Sequence, residues 1–353
     1  MTTIKEIAQK ANVSVGTVDR VIHQRGRVSL ETEERVRQII KDLDYKPNIL
    51  ARSLSRARTI NFGALIPKPD QDGYYWELPA RGMQKAASEL DLFKVQLEYY
   101  HYENHNIKDF QRACLEIQAD FSKLDGLLIA PVLSQAAESF CHLIPDHLAY
   151  VFIDSYLPQS KPISYVGENS YQSGVLAAKL MRLAAGDSGK IAAIQIEPID
   201  YHLNDRVQGF KQAMQALSNI ELVFYNAKVK PDVKEFHQLG ERILTEHPDI
   251  AGIFVPNACT YIFGEFLLQA GKNRHVKLIG YDMVDENIKY LKKEVIDFLI
   301  SQRSEMQGYE SIYSLYRHVV LSQTVEKQVL MPLDIITREN LDSYQRWQNF
   351  KIN

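Results

Sequence analysis

From Ile60 onward the chain alternates short apolar runs with longer amphipathic stretches, and that alternation restricts the fold more than any other feature. The runs are INFGALI from 60, FKVQLEYY from 93, GLLIA from 126, YVFID from 150, IAAIQI from 191, IELVFY from 220, IAGIFV from 250 and VKLIGYD from 276. Between them lie helical spacings such as Met83-Ala86-Ala87-Leu90 and Val175-Leu176-Lys179-Leu180. Strand–helix alternation of this kind builds parallel sheets covered on both faces. So many strands suit two Rossmann-like lobes of about 120–150 residues each better than one small sheet. A break near Ser164–Gly174 marks the first expected crossing between lobes, with others around Leu299–Arg303 and near Pro332. Lobe 1 is then about 60–164 and 302–330, and lobe 2 about 165–301 and 331–345.

The first residues follow a different pattern. TIKEIAQKANVSVGTVDRV, residues 3–21, holds two short helices joined by a tight turn. Thr3 and Glu6 have the spacing of a capping box, in which each side chain satisfies a backbone N–H at the helix start. Ile4, Ile7, Ala8 and Ala11 then recur on one helical face. Asn12-Val13-Ser14 supplies the turn, Ser14 is suited to cap the second helix, and Val13 and Val18 occupy staple positions. The second helix carries Thr17 and Arg20 on its polar side, with Gly16 offering close backbone approach. In a helix-turn-helix such a helix enters the major groove. A third helix, capped by Ser29, brings Val36, Ile39, Ile40 and Leu43 against the other two. Residues 1–60 contain 12 Lys+Arg and 7 Asp+Glu, whereas the rest carry 29 and 37. A basic head on an acidic body suits a phosphate-binding module on a soluble carrier. A plain three-helix bundle with a solvated basic face is the competing reading of the same pattern.

Tyr45-Lys46-Pro47-Asn48 breaks the third helix, and Ile49–Ser55 has room for two helical turns before the basic run Arg56-Ala57-Arg58. Helices below about 12–15 residues are marginal alone, so this segment needs a partner and a surface to fold on. With TIKEIAQKANVS, TVDRVI, RVSLETEERV and above all YKPNILARSL, the chain resembles the LacI/GalR family of bacterial transcription regulators over essentially its whole length. The resemblance implies an α/β protein: an all-α three-helix DNA-binding head at 1–46, a hinge helix and linker at 47–59, and a two-lobed periplasmic-binding-protein-like (type I) ligand domain at 60–353. It also implies a homodimer, or a tetramer as the alternative, on palindromic double-stranded operator DNA. Thr3, Ser14, Val15, Gly16, Thr17, Asp19 and Arg20 of the head, and Asn48, Ala51, Arg52 and Leu54 of the hinge, would meet that DNA. Only Arg20 of the groove-facing set can make a bidentate contact to guanine. Val15 offers an apolar contact, for instance to a thymine methyl. Relatives commonly place Ser at the position of Asp19, and a carboxylate there would accept from a cytosine amine or orient Arg20.

Ligands of open α/β sheets sit beyond the carboxyl ends of the strands. Tyr75 and Trp76 follow the first strand, Asp154 ends YVFID, Asn257 follows IFVP, Asp282 ends LIGYD, Gln302 follows FLIS, and Asn204 and Arg206 precede the helix starting near Val207. Aromatic faces meet the C–H faces of sugars while carboxylates and amides meet hydroxyls, so this set describes a small sugar or sugar-like effector. Sugar-binding relatives of this fold use similar positions. The family often has Arg where this chain has Asn204, and Asn-Asp where it has Asn257-Ala258, which argues against a ligand needing a strong cationic clamp there. Each residue also has a plain structural use: a strand-end Asp can cap a helix, and Tyr74-Tyr75-Trp76 can be core packing.

Other function classes find little support. GxGxxG is missing after the first strand, GDSGK at 186–190 lacks the upstream Gly of a phosphate loop, and GxSxG is missing. His101 and His105 lack the Glu placement of a zinc hydrolase motif. Cys114, Cys141 and Cys259 form no CxxC pair and read as reduced, buried small hydrophobes. No cofactor or metal is expected. The start shows no basic-then-apolar leader pattern and no apolar run nears the ~20 residues needed to span a bilayer, so the expected setting is the cytoplasm, with no membrane partner. A sugar receptor without DNA function and a sugar-active enzyme working through Asp154 and Asp282 are the alternatives. The leading reading is a ligand-responsive transcription regulator, acting as a repressor.

By the resemblance, Leu54 wedges between base pairs, unstacking a step at a cost offset by the contacts a bent duplex permits. Leu54→Ala is then expected to weaken operator binding and reduce DNA bending while leaving the melting temperature almost unchanged. Gel shifts on circularly permuted operators, beside a thermal melt, test this. A lowered melting temperature with the same bend angle would assign Leu54 to packing against the protein.

Overall fold

The computed structural model describes residues 4–23, 26, 28–43, 58–198, 200–216, 219–228 and 232–352. It divides into a head ending at Ala57 and a body beginning at Arg58. Within the head, α1 (Ile4–Ala11), α2 (Val15–His23) and α3 (Leu30–Asp42) close on Ile7, Ala8, Ala11, Val18, Val21 and Val36, all buried. The turn works because Asn12 takes a positive φ of 52°, a conformation that Asn tolerates better than most residues. Ser14 Oγ then accepts from the Thr17 backbone N–H at 3.1 Å, capping α2. Val13 packs against the cluster holding Val18, and Ser29 caps α3 by accepting from Thr32 N–H. Thr3, and hence the expected box with Glu6, lies outside the described residues.

Two six-stranded sheets form the body among the described residues. The first contains β1 (Ile60–Pro67), β2 (Val95–Tyr102), β3 (Gly126–Ile129), β4 (Ala149–Ile153), β5 (Ser164–Gly167) and β11 (Gln328–Leu330). The second contains β6 (Gly189–Glu197), β7 (Ile220–Lys228), β8 (Ile250–Phe254), β9 (Lys277–Tyr281), β10 (Phe298–Ser301) and β12 (Asp334–Ile336). Their orders are β2-β1-β3-β4-β5-β11 and β7-β6-β8-β9-β10-β12. All pairings are parallel except β10 with β12. Central strands such as β3 are buried along their whole length, as a sheet covered on both faces requires.

The chain crosses between lobes three times. Ser164–Gly167 pairs in register with β4, Val151 opposite Ser164, so lobe 1 runs to Gly167 and not to 164 as expected from sequence. β5, with the sequence SYVG, and β11 and β12, with three residues each, lack the continuous apolar run that makes the equally short β3 visible as GLLIA. Glu168 and Asn169 make the first crossing, Gln302 and Arg303 the second, and Met331–Leu333 the third.

In each lobe, the helix after the first strand packs on the helix that arrives through a crossing. Helix α4 (Glu77–Glu89) meets α12 (Ser304–Val319) in lobe 1, and α8 (Tyr201–Gln215) meets α7 (Ser170–Ala185) in lobe 2. Glycines make both contacts possible. A Cβ on Gly82 would overlap the Glu305 carbonyl, and one on Gly308 the Pro79 carbonyl; Gly174 and Gly209 stand likewise against the backbone of Arg206 and Tyr171. Gly82→Ala is therefore expected to push α4 off α12 and to cost about 1–3 kcal/mol, the usual penalty for overpacking. A thermal melt reads this as a drop of several degrees. No change in melting temperature would mean the helices cross further apart.

Candidate functional site

The carboxyl ends of the central strands of both lobes face one another across a cleft. Its lining includes Asp72, Tyr75, Trp76, Asn104, Asp154, Asp200, His202, Arg206, Asn257, Asp282 and Gln302. Of the residues expected from sequence, Tyr75, Trp76, Asp154, Arg206, Asn257, Asp282 and Gln302 are brought together here. Asn204 is not. It lies in a separate pocket with Gln195, Glu197, Val207 and Asn226. The reason is helical geometry: Asn204 stands two residues from Arg206, about 200° around α8, whereas His202 is four residues away and shares its face.

A chain of hydrogen bonds ties the two lobes together. The Tyr75 hydroxyl donates to Asp154 Oδ1 and accepts from Gln302 Nε2 at 3.1 Å. Gln302 Nε2 also donates to Asp282 Oδ1 at 3.1 Å, and its Oε1 accepts from Gln307 at 3.0 Å. Gln302 lies in the second crossing, so this network runs from β4 through the crossing to β9. Asp154 and Asp282 are matched features of the two lobes. Each follows the fourth strand of its sheet, with φ of 66° and 70°. Each donates its backbone N–H to the next strand, Asp154 to Val166 O and Asp282 to Ile300 O. Non-glycine residues held at positive φ are costly and concentrate at sites where the position of a side chain matters.

Arg206 is fully buried. Its Nε donates to Glu168 Oε1 at 2.6 Å, one Nη to Pro256 O at 2.7 Å, and its guanidinium sits 3.9 Å from the Tyr281 ring centroid. The other Nη, Nη2, is enclosed without a partner among the described residues. On the facing lobe, Trp76 Nε1 and Asn104 Nδ2 both donate to Asp72 Oδ2, at 3.0 and 2.7 Å, while Asp72 Oδ1 is enclosed and unpartnered. Trp76 meets Tyr75 edge to face with centroids 5.2 Å apart. Asn257 lines the cleft and also accepts from Cys259 N–H through Oδ1, so it serves the start of α10 (Thr260–Gln269) as well.

Burial and neighbouring carboxylates disturb the titration of this cleft. Burial pushes Asp282 up to about 7; Arg206 and the Gln302 bond oppose the shift, and Asp154 adds to it. Asp72 is pushed up to about 6, again chiefly by burial, with Asp154 and Asp200 reinforcing it against the Trp76 and Asn104 bonds. Burial would lower His202, but Asp200, 2.7 Å from Nδ1, and Asp154, 3.7 Å from Nε2, outweigh it and raise the imidazole. Carboxyls raised in this way are favoured protonated, so holding them ionised at neutral pH costs folding free energy unless something balances the charge.

Asp72, Asn104, Asp200, His202 and Glu168 were not singled out from the sequence. A signal existed for two of them. Asp200 and His202 follow the first strand of lobe 2 and open α8, the helix after it, the same topological place that points to Tyr75 and Trp76 in lobe 1. The cleft holds only about 40 Å³ of open space, room for a few waters, so a ligand of sugar size enters by parting the lobes.

The second candidate surface is on the head. Val15, Gly16, Asp19 and Arg20 are exposed on one side of α2, opposite buried Val18 and Val21. A Cβ on Gly16 would meet only Ser14 Oγ at 3.6 Å, so the fold itself does not require glycine there. Ser14 and Thr17 hydroxyls lie 2.9 Å apart and are engaged in the cap. Asn48, Ala51, Arg52 and Leu54 lie outside the described residues.

Comparison with known proteins agrees with this division. Residues 3–48 match the model for bacterial regulatory proteins of the lacI family, and residues 63–322 match the periplasmic binding protein domain. The ribose operon repressor of Lactococcus lactis is 25% identical over 350 residues, 97% of this chain and 98% of that protein. The HTH-type transcriptional repressor PurR of Edwardsiella ictaluri is 26% identical, over 82% of this chain and 83% of its own. Among solved structures, a protein from Bacteroides fragilis assigned to the LacI transcriptional regulators superposes with a TM-score of 0.75 at 29% identity, covering 81% of this chain and all of that one. A glucose-galactose binding protein from Geobacillus stearothermophilus shares the fold, with a TM-score of 0.69 at 23% identity over 80% of this chain and 99% of its own. The chain belongs to the lacI family of bacterial regulatory proteins, with a periplasmic binding protein domain behind its DNA-binding head, and is a ligand-responsive transcription regulator.

Proposed function

We propose that this regulator is a cytoplasmic repressor that binds palindromic operators as a homodimer, and that a small sugar or sugar derivative in the inter-lobe cleft sets its affinity for DNA. The observation that carries the effector half of the reading is the bond chain Asp154–Tyr75–Gln302–Asp282, which spans both lobes and a crossing around one cavity. A polyol entering there exchanges hydroxyls for these protein–protein bonds. The printed names of relatives support a sugar: one is a ribose operon repressor, and fold neighbours were solved with D-arabinose and with α-D-tagatopyranose. Trp76 and Asp282 would hold the ligand from opposite lobes, one by its aromatic face and one through hydroxyls. The full proposed contact set is Tyr75, Trp76, Asp154, Arg206, Asn257, Asp282 and Gln302. The relatives are transcription regulators, and we read the aspartates as holding hydroxyls, not as turning a substrate over.

A ligand moves such a system only through its different affinity for two states. Parting or closing the lobes around the ligand changes the angle between the N-terminal lobes of two subunits. That angle decides whether the two hinge segments, too short to be helical alone, can pair and fold on DNA.

Asp282→Ala removes one anchor of the cleft and is expected to weaken binding of the sugar that the unaltered protein takes up by about 10–100-fold, consistent with hydrogen bonds to a charged group. Calorimetry checks this, and an unchanged affinity would mean that the effector binds elsewhere. On the head, Arg20→Ala is expected to relax preference at one base pair per half-site by about 1–3 kcal/mol. Binding to a set of operators mutated one position at a time reads the effect. A uniform loss across all of them would make Arg20 a phosphate contact.

A further inference from the structure

The polar groups of the cleft are strongly unequal in charge. Four aspartates, Asp72, Asp154, Asp200 and Asp282, line it, from both lobes. The cations among its lining residues are Arg206 and His202. Arg206 is matched by Glu168 at 2.6 Å, and His202 lies between Asp200 and Asp154. Most of the negative charge is therefore left unbalanced in a narrow cleft whose walls are mostly buried side chains. Coulomb repulsion between buried like charges is screened far less than at a surface, so this arrangement is costly as it stands.

Two enclosed atoms say what would relieve it. Asp72 Oδ1 is an acceptor without a donor, and Arg206 Nη2 a donor without an acceptor, and both residues line the cavity. The first needs an N–H or O–H from the ligand, and the second needs a ligand oxygen. Apolar lining from Val132, Pro198 and Leu203 leaves room for a carbon skeleton between them. A phosphate or carboxylate would add negative charge to carboxylates already crowded. A neutral sugar would satisfy hydrogen bonds but leave the charge as it is.

We propose that the effector is a hydroxylated amine, an amino sugar or aminopolyol, whose ammonium group lies among the aspartates and whose hydroxyls meet Arg206 and Gln302. This rests on the reading of the cleft as the effector site and specifies its chemical class. The raised titration of Asp72 and Asp282 accords with it, since burial makes each carboxylate costly and a cation beside it would offset that cost.

The test is a panel of D-glucosamine, D-galactosamine, D-mannosamine and 1-amino-1-deoxy-D-glucitol. Each is set beside its hydroxyl parent, and the hexosamines also beside the 6-phosphates of their parent hexoses. The full-length protein is measured by thermal shift and then calorimetry at neutral pH. The tightest binder is expected to be an amine, about tenfold or more tighter than its hydroxyl parent, as a charge-assisted bond replaces a neutral one. Asp72→Asn and Asp200→Asn, which keep shape and remove charge, should each shrink that ratio. High salt should leave it largely intact, because the cleft is buried. A hydroxyl parent that binds as well as its amine overturns the amine class and leaves the sugar reading standing. A phosphate that binds best overturns the charge argument. If no compound of the panel binds at millimolar concentration, the amine class falls, and the sugar reading is decided separately by calorimetry with D-ribose and D-arabinose.

Discussion

Arg206 is the interaction on which the arrangement of the second lobe depends. Its side chain is fully buried and joins three separate stretches: Glu168 of the first crossing, Pro256 after β8, and the Tyr281 ring of β9. Burying a guanidinium is tolerable only when it is paired and hydrogen-bonded. Removing one member of such a pair typically costs about 3–5 kcal/mol, because the other charge stays buried. Its backbone is as constrained as its side chain. The Arg206 carbonyl lies directly over Gly174, at one of the two close approaches of α7 and α8. The residue thus locks the helix pair, the crossing and the strand ends at once, and it does so from the wall of the cleft.

The two lobes repeat one plan. Sheet orders correspond strand for strand, glycine-mediated helix contacts occur at matching places, and Asp154 and Asp282 adopt the same backbone conformation after matching strands. Each lobe alone would expose a row of strand ends with inward polar groups. Facing each other, they enclose a site that neither lobe contains. The crossings make that site responsive, because Glu168 and Gln302 belong to crossings and also bond to cleft residues, Arg206 in one case and Tyr75 and Asp282 in the other. Gln302 bonds to Tyr75 of one lobe and Asp282 of the other, so a change of angle between lobes bears directly on these two bonds.

Much of the cleft was legible because strand ends are legible. An apolar run closing on Asp, as in YVFID and LIGYD, places the carboxylate at the carboxyl end of a strand, where ligands of open α/β sheets sit. Asn204 shows the limit. Proximity in sequence to Arg206 suggested a shared role, but helical phase sends the two side chains to opposite faces and selects His202 instead. The short strands β5, β11 and β12 were hidden for a related reason: SYVG, QVL and DII carry no continuous apolar run like the GLLIA of β3, and only pairing with a neighbour defines them as strands.

By itself the sequence determined the class of each part. Local spacing and capping chemistry, Ser14 before α2 and Ser29 before α3, specify the head's helices because those bonds form between residues three apart. Alternating apolar runs likewise specify a body of covered parallel sheets. Only the tertiary structure decided where the lobes exchange chain and which polar groups share an enclosed space. Asp72 and Asp200 are 128 positions apart, and their unbalanced charge arises only when both are brought to the wall of one cleft. Burial is a property of the assembled molecule, since a carboxylate's cost depends on the water and the countercharges around it.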